Sequence, residues 1–180
     1  MIIISNPGHT GTVIPENELI KVIETAKKFG SIVLIDEAYY HFYSISMVNY
    51  INDFSNLIVV RTFSKAYGLA GFRVGYGFGH KELIDSLMKV KLPFEPSSAS
   101  QLAAFASLED DKFLSDTIKN NTSEMQKLLN SLKDYNIIPS VTNFITIIFD
   151  TNKESHEFAN VMLSNGVIVR NLKGFGLENC

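Results

Sequence analysis

Two apolar segments, SIVLID at 31–36 and NLIVVRT at 56–62, constrain the fold of this chain more than any other feature. Both are apolar almost throughout, which is typical of parallel strands covered on both faces. An amphipathic segment between Pro15 and Gly30 precedes them and predicts a helix. Residues 1–5 predict a short buried strand before that helix. This order of strands and helix predicts an α/β fold.

The rest of the chain predicts a further strand, three helices and a small α+β unit. The strand is expected at 73–78, and the helices at 81–90, 98–108 and from Asp110 to about Tyr135. The small unit is expected to contain strands in TNFITIIF and VIVR and a helix near 153–165. We expect a partial large domain at 1–125 and a partial small domain at 126–180.

Composition excludes several classes of protein. The net charge of −3 gives no basic field to attract nucleic acid or an anionic membrane. The apolar runs are too short to span a bilayer, and no basic segment followed by an apolar stretch opens the chain. Cys180 is the single cysteine, so no disulfide forms within the chain and a reducing cytoplasm is expected. The four histidines lack the spacing of metal ligands, and we expect no metal site.

Polar residues follow each of the three predicted parallel strands. Asn6 follows the first strand, Asp36 ends the second, and Thr62, Ser64 and Lys65 follow the third. The carboxyl ends of parallel strands meet at one edge of a sheet, where open α/β sheets bind their ligands. We therefore expect these side chains to share one site.

Each candidate residue also has an ordinary structural interpretation. Lys65 could be a solvated loop lysine, but a partly desolvated lysine there could form a Schiff base with a carbonyl. Asp36 could be a turn residue, or a carboxylate held against a cationic nitrogen, with the Tyr39 phenol aimed at the same place. Arg73 could pair with an acid, or clamp a phosphate with its planar guanidinium. Glycines at 68, 71 and 75 would then allow a ligand to approach closely.

Other ligand-binding motifs do not fit. The glycines at 75, 77 and 79 give G-x-G-x-G, and they lie within a predicted strand, so a dinucleotide fingerprint is not expected. The chain also lacks G-x-x-x-x-G-K-[ST] and G-x-S-x-G, the signatures of a P-loop and of a hydrolase nucleophile.

Three segments together resemble a known family. VLIDEAYYHF, VVRTFSKAYGLAGFRVGYGFG and GVIVRNLKGFGLENC are similar to pyridoxal-phosphate-dependent aminotransferases of fold type I, and among them to histidinol-phosphate aminotransferases. The resemblance extends over essentially the whole chain. It implies part of a large three-layer αβα domain plus most of a small α+β domain, acting as a cytoplasmic homodimer in histidine biosynthesis.

The resemblance also implies a role for each matching residue. Lys65 would attach to pyridoxal 5'-phosphate and move the substrate proton, and Asp36 would keep the pyridine nitrogen protonated. Tyr39 would bind the ring oxygen. The phosphate would be bound by Thr62, Ser64 and Arg73, and the substrate would lie near Asn143 and Arg170. The partners would be an amine such as histidinol phosphate and 2-oxoglutarate as the 2-oxo acid.

The sequence departs from the family at two places. NPGHTG stands where the family shows N-P-x-N-P-T-G, so Asn6 or His9 would replace the second asparagine of the motif. The family is about twice this length, and we expect a segment that is a poor transaminase alone. Two alternatives stay open. One is a phospho-amino-acid decarboxylase of the same fold, and the other is a non-catalytic module that binds a partner.

Overall fold

The computed structural model describes all 180 residues and contains six strands and six helices. The first half comprises β1 (Ile2–Ser5), α1 (Glu16–Lys28), β2 (Val33–Asp36), α2 (Tyr40–Tyr43), β3 (Leu57–Thr62) and β4 (Gly75–Gly79). The second half comprises α3 (Lys81–Val90), α4 (Ser98–Leu108), α5 (Asp111–Ser131), β5 (Asn136–Ile138), β6 (Thr146–Ile148) and α6 (Asn152–Ser164). Short 3₁₀ turns cover Met47–Tyr50, Ala70–Phe72 and Lys173–Phe175.

The main sheet has the order β1-β2-β3-β4. β1, β2 and β3 are parallel, and β4 is antiparallel to β3. Asp36 is aligned with Val60, and the chain reaches Lys65 just beyond the carboxyl end of β3. The expected α/β fold is therefore confirmed, as are the adjacent parallel strands and an antiparallel fourth strand.

Helix α1 forms the main core against β2 and β3. Its acidic first turn and basic last turn match the helix dipole. The core contains eight buried residues: Leu19, Ile23, Ala26, Val33, Ile35, Met47, Leu57 and Val59. A smaller cluster joins the chain after β3 to α4 and contains Phe63, Tyr67, Val74 and Ala104. The two interior strands are thus fixed along most of their length, which gives the loops at their carboxyl ends a rigid base.

The small unit differs in part from the expectation. β6 covers part of the TNFITIIF segment and α6 matches the expected helix, but VIVR at 167–170 forms no strand. Those residues are exposed, and β6 pairs instead with β5, which the sequence analysis did not predict. Helix α5 lies between the two sheets in the chain. The boundary at 125 and 126, within this helix, stays a proposal.

Apolar side chains are exposed on several elements. Two of them, Ile2 and Ile3, belong to β1 at the edge of the main sheet. Phe94 is 95% exposed and Ile168 is 86% exposed. None of the helices combines the length and the apolar character needed to cross a bilayer.

Candidate active site

The predicted residues Asp36, Lys65 and Tyr39 lie together at the carboxyl edge of the main sheet. The Lys65 amine lies 5.2 Å from the centre of the Tyr39 ring. Tyr39 precedes α2, in the same loop as Asp36, and its ring packs edge-on against Phe144 at 5.2 Å. Asn143 is adjacent to Phe144 in the chain, so this contact brings the segment before β6 to the edge of the site.

Asp36 forms a turn at the end of β2. One carboxylate oxygen, Oδ1, accepts a hydrogen bond from the Ala38 N–H at 3.0 Å. The other oxygen, Oδ2, accepts no hydrogen bond from the protein, so it is available to a ligand. The structural and the functional interpretations of Asp36 are therefore compatible, because each uses a different oxygen.

Thr62 and Ser64 form a hydroxyl pair at the end of β3. The Thr62 hydroxyl lies 2.8 Å from the Ser64 hydroxyl and accepts a hydrogen bond from the Ser64 N–H at 3.0 Å. These contacts fold the chain sharply just before Lys65. Two hydroxyls beside a lysine are suited to bind an anionic group.

Two details of the sequence interpretation need correction. Lys65 is exposed and takes part in none of the ion pairs, so the expected desolvation is not provided by the residues of this chain. Gly75 does allow a close approach, but the group that approaches it is the backbone of β3 and not a ligand. A Cβ there would lie 2.6 Å from the carbonyl oxygen of Arg61, so Gly75 lets β4 pack closely on β3.

Of the other predicted residues, Asn6 adjoins Asp36, because its N–H donates to the Asp36 carbonyl at 3.0 Å, whereas the two arginines lie at the periphery. Asn6 uses its side-chain amide to fix a loop, because Oδ1 accepts from the Ile14 N–H at 2.7 Å and Nδ2 donates to the Ile14 carbonyl at 3.3 Å. Arg73 is exposed, has a φ of 51° and donates to the carbonyl of Ala70 at 3.0 Å. Arg170 lies over the ring of Phe175 at 5.7 Å.

His9 also packs on Phe175, with ring centres 4.9 Å apart. The loop after β1 thus contacts the same aromatic residue as Arg170. Neither Arg73 nor Arg170 forms a hydrogen bond or an ion pair with Lys65 or Asp36. Their predicted roles stay proposals that require a ligand to connect them to the rest of the site.

Gly11 fixes the same loop against the segment before β6. Its φ is +87°, and a Cβ there would lie 2.2 Å from the Ser140 hydroxyl and 2.7 Å from the Ser140 Cβ. The Val141 N–H donates to the Gly11 carbonyl at 3.0 Å. Only glycine satisfies both the backbone conformation and the contact at this position.

A Gly11→Ala variant is expected to lower the free energy of unfolding by about 2–4 kcal/mol, from left-handed strain and overpacking together. Gly30→Ala is the matched control, because Gly30 has a φ of +63° and nothing within 4 Å of the added Cβ. That control isolates the strain and should cost about 1 kcal/mol. Urea denaturation of both variants measures the difference, and equal losses would show that the Ser140 contact contributes nothing.

A buried ion pair that was not predicted from the sequence lies beside the site. Glu37 directly follows Asp36, and Arg61 directly precedes Thr62. Arg61 Nε donates to Glu37 Oε2 at 3.0 Å, and the side chains are only 10% and 2% exposed. A sequence signal did exist, since an arginine inside an apolar strand requires a partner when buried.

The charge of Arg61 also affects a neighbouring histidine. His41 is buried in α2, where its ring packs edge-on against Tyr67 at 4.9 Å. Burial, together with the positive charge of Arg61, lowers the pKa of His41 below its ordinary value. His41 is therefore neutral at pH 7, and the only full charges in this buried cluster are those of Glu37 and Arg61.

An α/β sheet with a lysine, a carboxylate, a phenol and two hydroxyls at its carboxyl edge is the arrangement that the resemblance to fold type I enzymes predicts. The family model for aminotransferase class I and II matches residues 1–180. The chain therefore belongs to the class I and II aminotransferase family, and the resemblance seen in the sequence is confirmed.

Relatives and solved structures agree with this assignment. Histidinol-phosphate aminotransferase 2 of Legionella pneumophila (strain Lens) is 36% identical over 99% of this chain and 50% of that protein. The histidinol-phosphate aminotransferase of Campylobacter lari is 39% identical over 92% of this chain and 50% of that protein. The Sinorhizobium meliloti enzyme, solved in complex with pyridoxal-5'-phosphate, is 26% identical with a TM-score of 0.83, covering 93% and 48% of the two chains. The chain spans about half the length of the curated relatives it matches.

Proposed function

We propose that this chain contributes the lysine-bearing part of the active site to a pyridoxal-phosphate-dependent aminotransferase that acts on histidinol phosphate or a similar amine. The observation that carries the proposal is the placement of Lys65, Asp36 and Tyr39 at one sheet edge, with the Lys65 amine 5.2 Å from the Tyr39 ring. The sequences named above, which belong to histidinol-phosphate aminotransferases, support the substrate class.

The donor groups present fit the cofactor. An amine suits its aldehyde, the open oxygen of Asp36 suits its pyridine nitrogen, and the hydroxyls of Thr62 and Ser64 suit its phosphate. When bound, the cofactor supplies an electron-withdrawing ring that stabilises negative charge at the substrate carbon. Asp36 would hold the proton on the pyridine nitrogen and so keep the ring electron-withdrawing.

The residues of this chain would bind the cofactor, transfer the substrate proton and contact the substrate. Lys65 would hold the cofactor through its amine and, once the substrate amine has displaced it, would take the proton of the substrate carbon and return it. Tyr39 would donate a hydrogen bond to the ring oxygen, and Arg73 would add its charge to the phosphate site. Asn6 orders the loop after β1, while Asn143 and Arg170 approach the substrate.

The proposal extends to the setting of the reaction. The amino group would pass from the amine to 2-oxoglutarate, as a step of histidine biosynthesis. The protein would act as a homodimer in the cytoplasm, and a chain with Cys180 as its single cysteine suits that reducing compartment.

The test is a coupled assay of the purified 180-residue chain with the cofactor, histidinol phosphate and 2-oxoglutarate. We expect turnover slower than about one per second, near the low end for complete enzymes, because the relatives build their sites with twice as much chain. Conversion of bound cofactor to its amine form by histidinol phosphate supports the proposal. Release of carbon dioxide from a phospho-amino acid would indicate the decarboxylase instead, and failure to bind the cofactor would indicate a non-catalytic module.

A further inference from the structure

The buried pair of Glu37 and Arg61 is built into a larger hydrogen-bond network. Glu37 Oε1 accepts from the Met47 N–H at 2.7 Å, and the Ser46 hydroxyl lies 2.8 Å from Glu37 Oε2. Arg61 Nη2 donates to that same hydroxyl at 2.6 Å. The carboxylate and the guanidinium are therefore joined directly and also through Ser46. A buried pair with this many partners favours one arrangement of its elements, because removing either charged group leaves the other charge buried without its counter-ion.

The network connects the two pieces of chain, 36–40 and 61–62, that carry predicted site residues. Glu37 is anchored by its own N–H, which donates to the Val60 carbonyl of β3 at 2.8 Å. Arg61 places its guanidinium over the Tyr40 ring, 3.3 Å from the ring centre. Tyr40 adjoins Tyr39, Glu37 adjoins Asp36, and Arg61 adjoins Thr62.

The alternation of side chains along a strand separates this network from the site itself. Arg61 and Thr62 are neighbours in β3, so their side chains point to opposite faces of the sheet. The network thus restrains the backbone of the site residues while leaving their side chains open to a ligand. Neither Glu37 nor Arg61 touches Lys65.

We propose that Glu37, Arg61 and Ser46 form a positioning network that sets the spacing of Asp36, Tyr39 and Thr62 for the cofactor. This inference rests on the function proposed above. A positioning role is distinct from general stability, because it predicts local loosening of these segments in a chain that remains folded.

The first test is amide hydrogen exchange of the ligand-free chain, with Glu37→Gln and Arg61→Lys as variants. Loss of a charge-assisted hydrogen bond should speed exchange about tenfold or more at Ala38, Tyr40 and Ser64. Amides of α1 should keep their wild-type rates. Asp85→Asn is the matched control, because it breaks the exposed ion pair with Lys81 and should change none of these rates. Wild-type exchange at the three amides in both variants would overturn the proposal, and so would equal acceleration throughout the chain.

The second test measures the trapping rates of pyridoxal phosphate and of propanal at Lys65 with borohydride, well below the unfolding temperature of each variant. Propanal reports the reactivity of the amine alone. The rate for pyridoxal phosphate divided by the rate for propanal should fall about 10²-fold in Glu37→Gln, because a misplaced reacting group slows the reaction by about that factor. The propanal rate itself should not change. If the unmodified chain traps pyridoxal phosphate faster than propanal, the same ratio of the two rates in Glu37→Gln would overturn the proposal.

The two tests separate this inference from the proposed function. A wild-type chain that traps pyridoxal phosphate no better at Lys65 than at the exposed Lys133 would contradict the proposed function. Hydrogen exchange would then still decide whether the network positions its segments. Arg61→Lys keeps the positive charge, so it provides a folded variant if Glu37→Gln does not fold.

Discussion

A Lys65→Ala variant is expected to lose specific covalent labelling by pyridoxal phosphate. In the unmodified chain, borohydride reduction should fix about one cofactor per molecule, because a single amine acts as the nucleophile of such a site. That amine follows β3 and lies beside Tyr39, with the open oxygen of Asp36 at the same sheet edge. Removing it should reduce labelling to the background of the surface lysines, as measured by mass spectrometry of the peptides.

Two controls define this result. Lys65→Arg keeps the positive charge but has no nucleophilic amine, so it should lose the label while retaining reversible binding of the phosphate. Lys133→Ala removes an exposed lysine that forms no ion pair, and it should label like the unmodified chain. Label spread over other lysines with Lys65 unmodified would overturn the assignment.

The sheet edge could be predicted from the sequence because its causes are local. Strands covered on both faces are recognised by their nearly continuous apolar composition. Parallel strands also place their carboxyl ends at the same edge of the sheet. Asp36 and Lys65 follow directly from that geometry. The resemblance then supplied the chemistry that the pattern alone left open.

The missing parts depend on contacts between distant segments. The amide of Asn6 is occupied by Ile14, and Glu37 reaches Met47 and Arg61 across the sheet. VIVR at 167–170 has the composition of a strand but forms none, and β6 pairs with β5. Strand propensity measures how well a side chain packs in a half-buried sheet. It does not show which of several suitable segments pairs with a neighbouring strand.

The sequence left the exposure of Lys65 open for a related reason. Desolvation depends on what covers a residue, and Lys65 is exposed in this chain, with the Tyr39 ring 5.2 Å from its amine. The position of a functional residue is thus predicted more easily than the environment that tunes it. The pKa of His41 shows the converse, since the buried cluster that lowers it lies entirely within this chain.

The rigidity of the site depends on β3, which leads directly to Thr62 and Lys65. Leu57 begins this strand, is fully buried, and packs in the core formed by α1, β2 and β3. Leu57→Ala is expected to lower the free energy of unfolding by about 2–5 kcal/mol, from lost burial and the cavity left behind. That is a large part of the stability of an ordinary domain, about 5–15 kcal/mol.

The matched control for this prediction is Leu128→Ala in α5, where the same side chain is 43% exposed. That variant should change the free energy of unfolding by no more than about 0.5 kcal/mol, because little apolar surface or packing is lost. Urea denaturation measures both, with an unchanged slope showing that the unfolded states are comparable. Equal losses would contradict the placement of β3 in the core. A large loss for Leu57→Ala alone, accompanied by faster hydrogen exchange at Ser64, would show that packing at the start of β3 orders the chain that carries Lys65.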